Sequence, residues 1–501
     1  MRGTWWREAG GWALAALIAA VTTAQLASTA RSELLLRDGD SLVVALLVRS
    51  VGDGEPFDWA MSTVLFIPEI VVFAVLWLVG TALSLEVNAL LVLNGIVNIV
   101  ALYGAIRFAA GRRRTGRAPV GWSVVALLAI CLIATTETSA SRDALELASL
   151  ITTTTYYAGT VIAVLLSAGL VRRAFDHDSA GRRLPIWLGI VALVSVLSNP
   201  LYIGWAAVPL GAILLVAAVY PGARRRALPL LWALSAGSVL GLLARIPLSA
   251  WIANDGTGYA QPAMWPESVR YYGDLLALRL STPLGWAGCL LLVALFVFAV
   301  LRSVRADDAG ARVLAISAWV VPLVVVIGMV VLGTHAARYL QPVVFLPALA
   351  LVASPRALRV PRRAALWATA AASVALVVAA GLSVPRMVPA TRPSADLRCV
   401  DDWVSASGRV GAGQFWTVRL PKLHLSDASQ LVQVDHQLNA YAWLTNRADF
   451  RTREVTFLIE DAQSTPWSLG VDDLPIDAIA CGQYTIHDFG TRALPLGPPR
   501  S

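Results

Sequence analysis

The stretch VLFIPEIVVFAVLWLVGTAL, residues 64–83, decides how the chain is threaded. It is apolar and close to the roughly 20 residues that a helix needs to cross a bilayer. Yet it holds Pro68 and Glu69. An acidic group at mid-bilayer costs about 2.5–3.5 kcal/mol on insertion scales. Proline removes a backbone hydrogen bond there as well. The segment is therefore expected to lie along the outer surface, or to dip into it, rather than to span. The number of crossings and the side of every later loop depend on that reading.

The surroundings make a membrane the frame. Of 501 residues, 57% are hydrophobic and only 14% are charged, with a mean hydropathy of +0.66. Many stretches run about 18 residues or more without a charge, the pattern of spanning helices. Residues 1–30 carry a short basic head, Arg2 and Arg7, and then an apolar run from about Gly11. That run is long for a signal-peptide core and reads as an uncleaved first span.

Arginines fix the inside. They cluster at Arg112–Arg114 with Arg117, at Arg172 and Arg173 with Arg182 and Arg183, at Arg224–Arg226, at Arg302, Arg305 and Arg312, and from Arg356 to Arg363. Short loops rich in arginine stay cytoplasmic. Between them, spans are expected at 120–136, 150–170, 185–198, 203–220, 227–252, 284–301, 313–332, 340–353 and 364–384. With 64–83 on the surface and 87–110 crossing, this gives about eleven spans; the alternative is that both cross and one arginine cluster is misplaced. The N-terminus is then cytoplasmic and the C-terminus extracytoplasmic, in the plasma (cell inner) membrane. The expected fold class is an α-helical polytopic membrane protein with outer-surface amphipathic helices. The transmembrane domain covers 1–384. A polar extracytoplasmic domain, α/β or β-rich, covers 385–501 and carries alternating stretches such as FWTVRL and EVTFLIE. Cys399 and Cys481 both fall in it and are expected to pair, because that side is oxidising. Cys131 and Cys289 lie in apolar segments and read as packing residues.

Composition excludes several function classes. The net charge is +8, but Lys422 is the only lysine. There is no GxxxxGK phosphate loop, so nothing marks a nucleotide-driven pump. No membrane lysine offers a Schiff base. The basic excess lies between apolar segments and reports orientation, so no nucleic-acid partner is expected. CxxC and HExxH patterns are absent, which removes the usual zinc frameworks.

The chemistry-bearing residues fall in the outside loops. RDGDSLVVALLVRS, residues 37–50, places Asp38 and Asp40 before a short apolar helix. An Asp-Gly turn with Asp40 as the N-cap explains part of it. A one-sided apolar helix beside a membrane lies at the interface, which sets the acids at the mouth of the bundle. A second loop, ETSASRDALELAS, residues 137–149, holds acids and Arg142. MWPESVRYYGDLLALRLST, residues 264–282, reads as another surface helix and carries Arg270. THAARYLQPVVFLPALAL, residues 334–351, sets His335 and Arg338 where a span meets the outside. Asn94 and Asn98, four apart, read as interhelical hydrogen bonds. Tyr156 and Tyr157 read as interface anchors. Trp403, Trp416, Trp443 and Trp467 read as core residues rather than a sugar platform.

This order is one span, an acidic outside group, two surface-lying segments, then paired spans and a second outside loop. It resembles the GT-C class of membrane glycosyltransferases, whose relatives include the protein O-mannosyltransferases and the transferase that puts aminoarabinose on lipid A. The segment at 334–351 looks like the RYLLPxLPxLAL segment of that class. The resemblance covers residues 11 to about 354 in layout, but only two short motifs in sequence. Members often carry Asp-Glu in the first loop, where this chain has Asp38-Gly39-Asp40.

The resemblance implies a sugar donor on a polyprenyl-phosphate carrier, an extracytoplasmic acceptor, and a single displacement with inversion. Asp38 or Asp40 would accept the acceptor's proton or hold a divalent metal ion. Arg338, with His335, Arg142 and Arg270, would hold the departing phosphate. Glu69, costly in an apolar segment unless used or paired, would face the same cavity. No other cofactor is implied. The rival expectation is a non-enzymatic protein, either a lipid-carrier transporter or an envelope-assembly scaffold. A transporter would show internal repeats and midplane charges, and none is visible.

Overall fold

The computed structural model describes residues 2–112, 116–176, 183–254, 256–306, 308–357, 361–469 and 474–500. Arg113, Arg114, Arg182 and Arg359 of the arginine clusters lie outside the described residues. Among the described residues, seven helices are long and apolar enough to cross a membrane. They are Trp5–Ala27, Val87–Ala109, Ala158–Phe175, Pro221–Leu243, Pro283–Val304, Ala309–Val331 and a stretch starting at Ala370. Shorter apolar helices make up most of the other expected spans, among them Pro119–Thr135 and Arg183–Ser198. The chain divides into two compact units. One comprises residues 1–32, 95–246 and 256–387, and the other residues 33–94, 247–255 and 388–501.

The first unit is a helical bundle. Leu290, Val293 and Val297 stand exposed along one face of Pro283–Val304, as on a lipid-facing helix. Where helices meet, small residues bring the backbones together. Gly189 on Arg183–Ser198 faces Gly237 on Pro221–Leu243 so closely that a Cβ on Gly237 would collide with the Gly189 carbonyl. Dispersion and close packing, not water exclusion, hold helices together in lipid.

Two expected spans are broken. The 150–170 span begins only at Ala158, because residues 153–157 leave the helix and Tyr157 turns into the left-handed region at φ 68°. Tyr156 and Tyr157 are buried there rather than anchored at an interface. Bare carbonyls in an apolar interior need donors. Asn98 Nδ2 supplies the Ile151 and Thr153 oxygens at 3.0 and 3.2 Å, and Gln341 Nε2 supplies that of Tyr156 at 3.0 Å. The 340–353 segment is cut into short pieces, Ala337–Leu340, Pro342–Phe345 and Leu349–Ala353. Pro342 and Pro347 each lack the N–H that a continuous helix needs.

The arginine clusters meet at one end of this bundle. Arg117 pairs with Asp308 at 2.7 Å, Arg172 donates to the Ala109 carbonyl, and Arg226 donates to that of Phe175. At the end of the first helix that lies away from Glu8 and Arg107, Arg31 meets the 137–149 loop.

The second unit joins residues 33–94 to the C-terminal residues. Among the described residues, a seven-stranded mixed sheet forms its centre. Its strands are β1 (Gly411–Gln414), β2 (Leu431–Val434), β3 (Asn439–Tyr441), β4 (Phe457–Glu460), β5 (Asp477–Cys481), β6 (Tyr484–Asp488) and β7 (Gly497–Arg500). The spatial order is β7-β3-β2-β1-β4-β6-β5. β1 runs parallel to β2 and β4, pairing Gly411 with Leu431 and Phe457. The Phe457 ring occupies the space where a Gly411 Cβ would be. A parallel pair needs a crossover, and the helix Phe415–His424 provides it. FWTVRL is therefore helical, not a strand, whereas EVTFLIE holds strand β4 as expected. Trp467 packs against the sheet core of Ala412, Val432, Leu458 and Phe489, and Trp403 meets the Phe457 ring edge-on. Cys399 and Cys481 are bonded to each other.

Residues 64–83 resolve into a helix of 16 residues, Ile67–Ala82, which is not among the seven of spanning length. Pro68 and Glu69 lie in its first turn. There proline costs no hydrogen bond and a carboxylate meets the positive end of the helix dipole. They start this helix instead of interrupting a longer one. Val71, Val75, Leu78 and Val79 form its exposed apolar face.

Candidate functional site

Asp38, Asp40 and Glu69 belong to the second unit, whereas Arg338, His335, Arg142 and Arg270 belong to the first.

In the second unit, the turn at residues 37–42 leads into the helix Val43–Gly52. Asp38 closes the turn, its Oδ2 accepting from the Ser41 backbone N–H at 3.1 Å and from the Ser41 hydroxyl at 3.3 Å, and the N-cap position of the helix falls at Leu42 rather than at Asp40. Asp38 is 8% exposed, and Asp40 is half-buried. The helix that follows is not one-sided. Val43 to Val48 are all buried, against the helices Ile67–Ala82 and Phe415–His424. It is a core element of this unit, and the expected interfacial face is absent.

Arg419, on the crossover helix, is fully buried behind the turn. It donates to the Gly39 carbonyl at 2.7 Å, to the Leu444 carbonyl, and to Gln433 Oε1 at 3.3 Å. Its guanidinium lies 4.2 Å from the Phe415 ring centre. Burial pulls its pKa down to about 10, against the opposing charges of Asp40 and then Asp38. Trp416 packs on Gly39, where a Cβ would come within 3.1 Å of the indole. The acidic turn is thus held from behind by a cation and an aromatic ring of the C-terminal part. Arg49 adds a clasp, donating to the Leu423 and Leu425 carbonyls at 2.6 Å each. Glu69 is 7% exposed at the head of its helix.

In the first unit, Arg338 lies on the helical turn Ala337–Leu340, 3.5 Å from Asp143 Oδ1. Arg142 reaches the same carboxylate at 3.9 Å. His335 is exposed and meets the Tyr271 ring edge-on, centroids 5.4 Å apart. Burial raises the Tyr271 hydroxyl above its ordinary range, and the Asp143 charge adds to that. Arg338, Arg142 and His335 thus gather around Asp143 and Tyr271, two residues that the spacing of charges did not single out. Arg270, next to Tyr271 in the chain, is exposed and outside this group.

A second buried group also escaped the sequence reading. Arg31 donates to Ser149 Oγ and to the Ser139 and Glu146 carbonyls, with Glu137 at 3.9 Å and Glu146 at 3.7 Å. Glu137 accepts from the Ala148 and Ser149 backbone N–H groups at 2.8 Å each. Arg279 bonds Glu146 at 2.5 Å and the Thr136 carbonyl at 2.9 Å. Burial pushes the Arg31 guanidinium down and the Glu137 carboxyl up, and each charge opposes the other's shift. Two cations and two anions with all these bonds form a closed network, the arrangement that makes buried charge tolerable. It fixes the 137–149 loop, and so the place of Asp143.

Among the described residues, no three His, Cys, Asp or Glu side chains gather as metal ligands. Comparison of the chain with protein-family models, curated proteins and solved structures finds no match.

Proposed function

We propose that the protein is a membrane glycosyltransferase of the GT-C kind, moving a sugar from a polyprenyl-phosphate carrier to an extracytoplasmic acceptor. The observation that supports this most is the acidic turn, a rigid carboxylate pair backed by the buried Arg419. A general base must be held in place before the reaction, and a fixed turn does so better than a mobile loop.

Asp40 is the more exposed of the two aspartates, so it is the better base. In the proposed step the acceptor hydroxyl oxygen attacks the anomeric carbon while Asp40 takes its proton. The bond from that carbon to the phosphate oxygen breaks, and its electron pair leaves on the phosphate. A cation must hold that phosphate, the role that the resemblance gives to Arg338. The phosphate is already a good leaving group, so no strong general acid is needed. A divalent metal ion at Asp38 and Asp40 would serve the same charge balance.

The proposed topology keeps about eleven crossings, the N-terminus inside and the C-terminal part outside in the plasma membrane. The meeting of the arginine clusters at one end of the bundle supports it.

The test is genetic and chemical. A deletion strain complemented with Asp40→Asn should lose the envelope glycan that the wild-type gene restores, with turnover down at least about 100-fold. Arg338→Gln should raise the donor requirement. If the glycan profile survives both Asp38→Asn and Asp40→Asn, the enzyme reading fails and a scaffold takes its place.

A further inference from the structure

A small cavity of about 20 Å³ lies inside the second unit. Ser50, Glu55 and Trp59 line it from the part of the chain before the spanning helices. Arg419, Lys422 and Asp449 line it from the C-terminal part.

The two parts are joined around this space. The short strand Trp59–Ala60 pairs antiparallel with Thr445 and Asn446. Asn446 Nδ2 donates to Ser50 Oγ at 3.0 Å, to Glu55 Oε2 at 3.2 Å and to the Pro56 carbonyl at 2.9 Å. Ser50 Oγ donates to the same Glu55 oxygen at 2.5 Å.

Two donors in the walls have a proton to spare. Trp59 is 3% exposed, and among the described residues its Nε1 has no hydrogen-bond partner. An indole N–H can only donate. Lys422 Nζ donates to the Leu431 carbonyl and to Asp449 Oδ2, both at 2.8 Å. An ammonium carries three protons, so one remains after these two bonds. Lys422 is also the only lysine of the chain. A compact ammonium can turn a proton into a small space, which a planar guanidinium cannot do in the same way. Leaving a buried donor without an acceptor is costly.

The occupant must therefore accept from Trp59 and Lys422. The walls also hold the Glu55 and Asp449 carboxylates, which repel an anion. A neutral molecule that both accepts and donates suits the two kinds of wall. One water needs about 10–15 Å³ of space and two to four polar partners.

We propose that this cavity binds one ordered water, which accepts from Trp59 Nε1 and Lys422 Nζ and donates toward the Asp449 and Glu55 carboxylates. The water completes the joint between residues 33–94 and the C-terminal part. Arg419, which backs the acidic turn, forms one of its walls. The site does not depend on the proposed transfer reaction.

The full-length protein would be crystallised and its density read at a resolution that shows ordered water. Wild type should give one peak within about 3 Å of both Trp59 Nε1 and Lys422 Nζ. In Lys422→Arg the longer side chain should take up the space, and the peak should be lost. A wild-type cavity without density overturns the proposal, as does a peak that survives in Lys422→Arg. Crystals grown in sodium bromide separate water from a halide: an anomalous peak in the cavity overturns the water assignment. If Lys422→Arg fails to fold, the wild-type density alone decides.

Discussion

Arg419 carries its charge into a part of the protein with almost no solvent, and its bonds to Gly39, Leu444 and Gln433 are what make that tolerable. Removing a buried cation strands its partners, at a cost of about 3–5 kcal/mol. Arg419→Met should therefore lower the thermal midpoint in detergent sharply. Arg419→Lys should recover little, because an ammonium cannot reproduce the planar fork. His424, on the same helix, makes a second prediction. Burial, then the nearby Arg49 and Arg37 charges, push its pKa down to about 4, with Asp401 opposing. Its ordinary value is 6.5. The unfolded chain thus takes up a proton between pH 6.5 and 4 that the folded one refuses. The stability from the neutral ring is present above pH 6.5 and is lost as pH falls toward 4, up to about 3 kcal/mol. Melting curves across that window should flatten in His424→Leu. If wild type and variant lose stability in parallel, the ring is not the cause. Neither residue was legible beforehand, since a lone arginine or histidine in a polar region carries no periodic signal.

At the scale of elements, the helix Val43–Gly52 shows how short patterns mislead. Its sequence suits a one-sided helix at a membrane surface, but neighbours on both sides bury it. A buried leucine should then matter on any face. Leu47→Ala should cost about 2–5 kcal/mol, read as a lower midpoint or folded yield. A cost near zero would return the helix to the surface. FWTVRL makes the complementary point. Alternation suggested a strand, but joining β1 to a parallel β2 requires a crossover, and that requirement lies in the sheet rather than in those six residues. Residues 64–83 were legible in part. Pro-Glu was read as interrupting a span, and in the structure it marks a helix start.

For the whole molecule, the bond between Cys399 and Cys481 ties two positions 82 residues apart. In the chain-entropy model a loop of that length contributes about 4–5 kcal/mol. Cys399→Ser should lower the midpoint accordingly, and reductant should move wild type toward the variant and leave the variant unmoved.

The sequence by itself determined the membrane class, the grouping of arginines at one end and the cysteine pair. Each follows from composition or from a compartment rule that acts on single segments, whatever their neighbours are. Only the tertiary structure decided that Arg419 backs the acidic turn and that Arg31 and Arg279 lock the 137–149 loop. Those depend on partners more than a hundred residues away. A buried charge is set by which groups surround it in space, and spacing along the chain does not encode that.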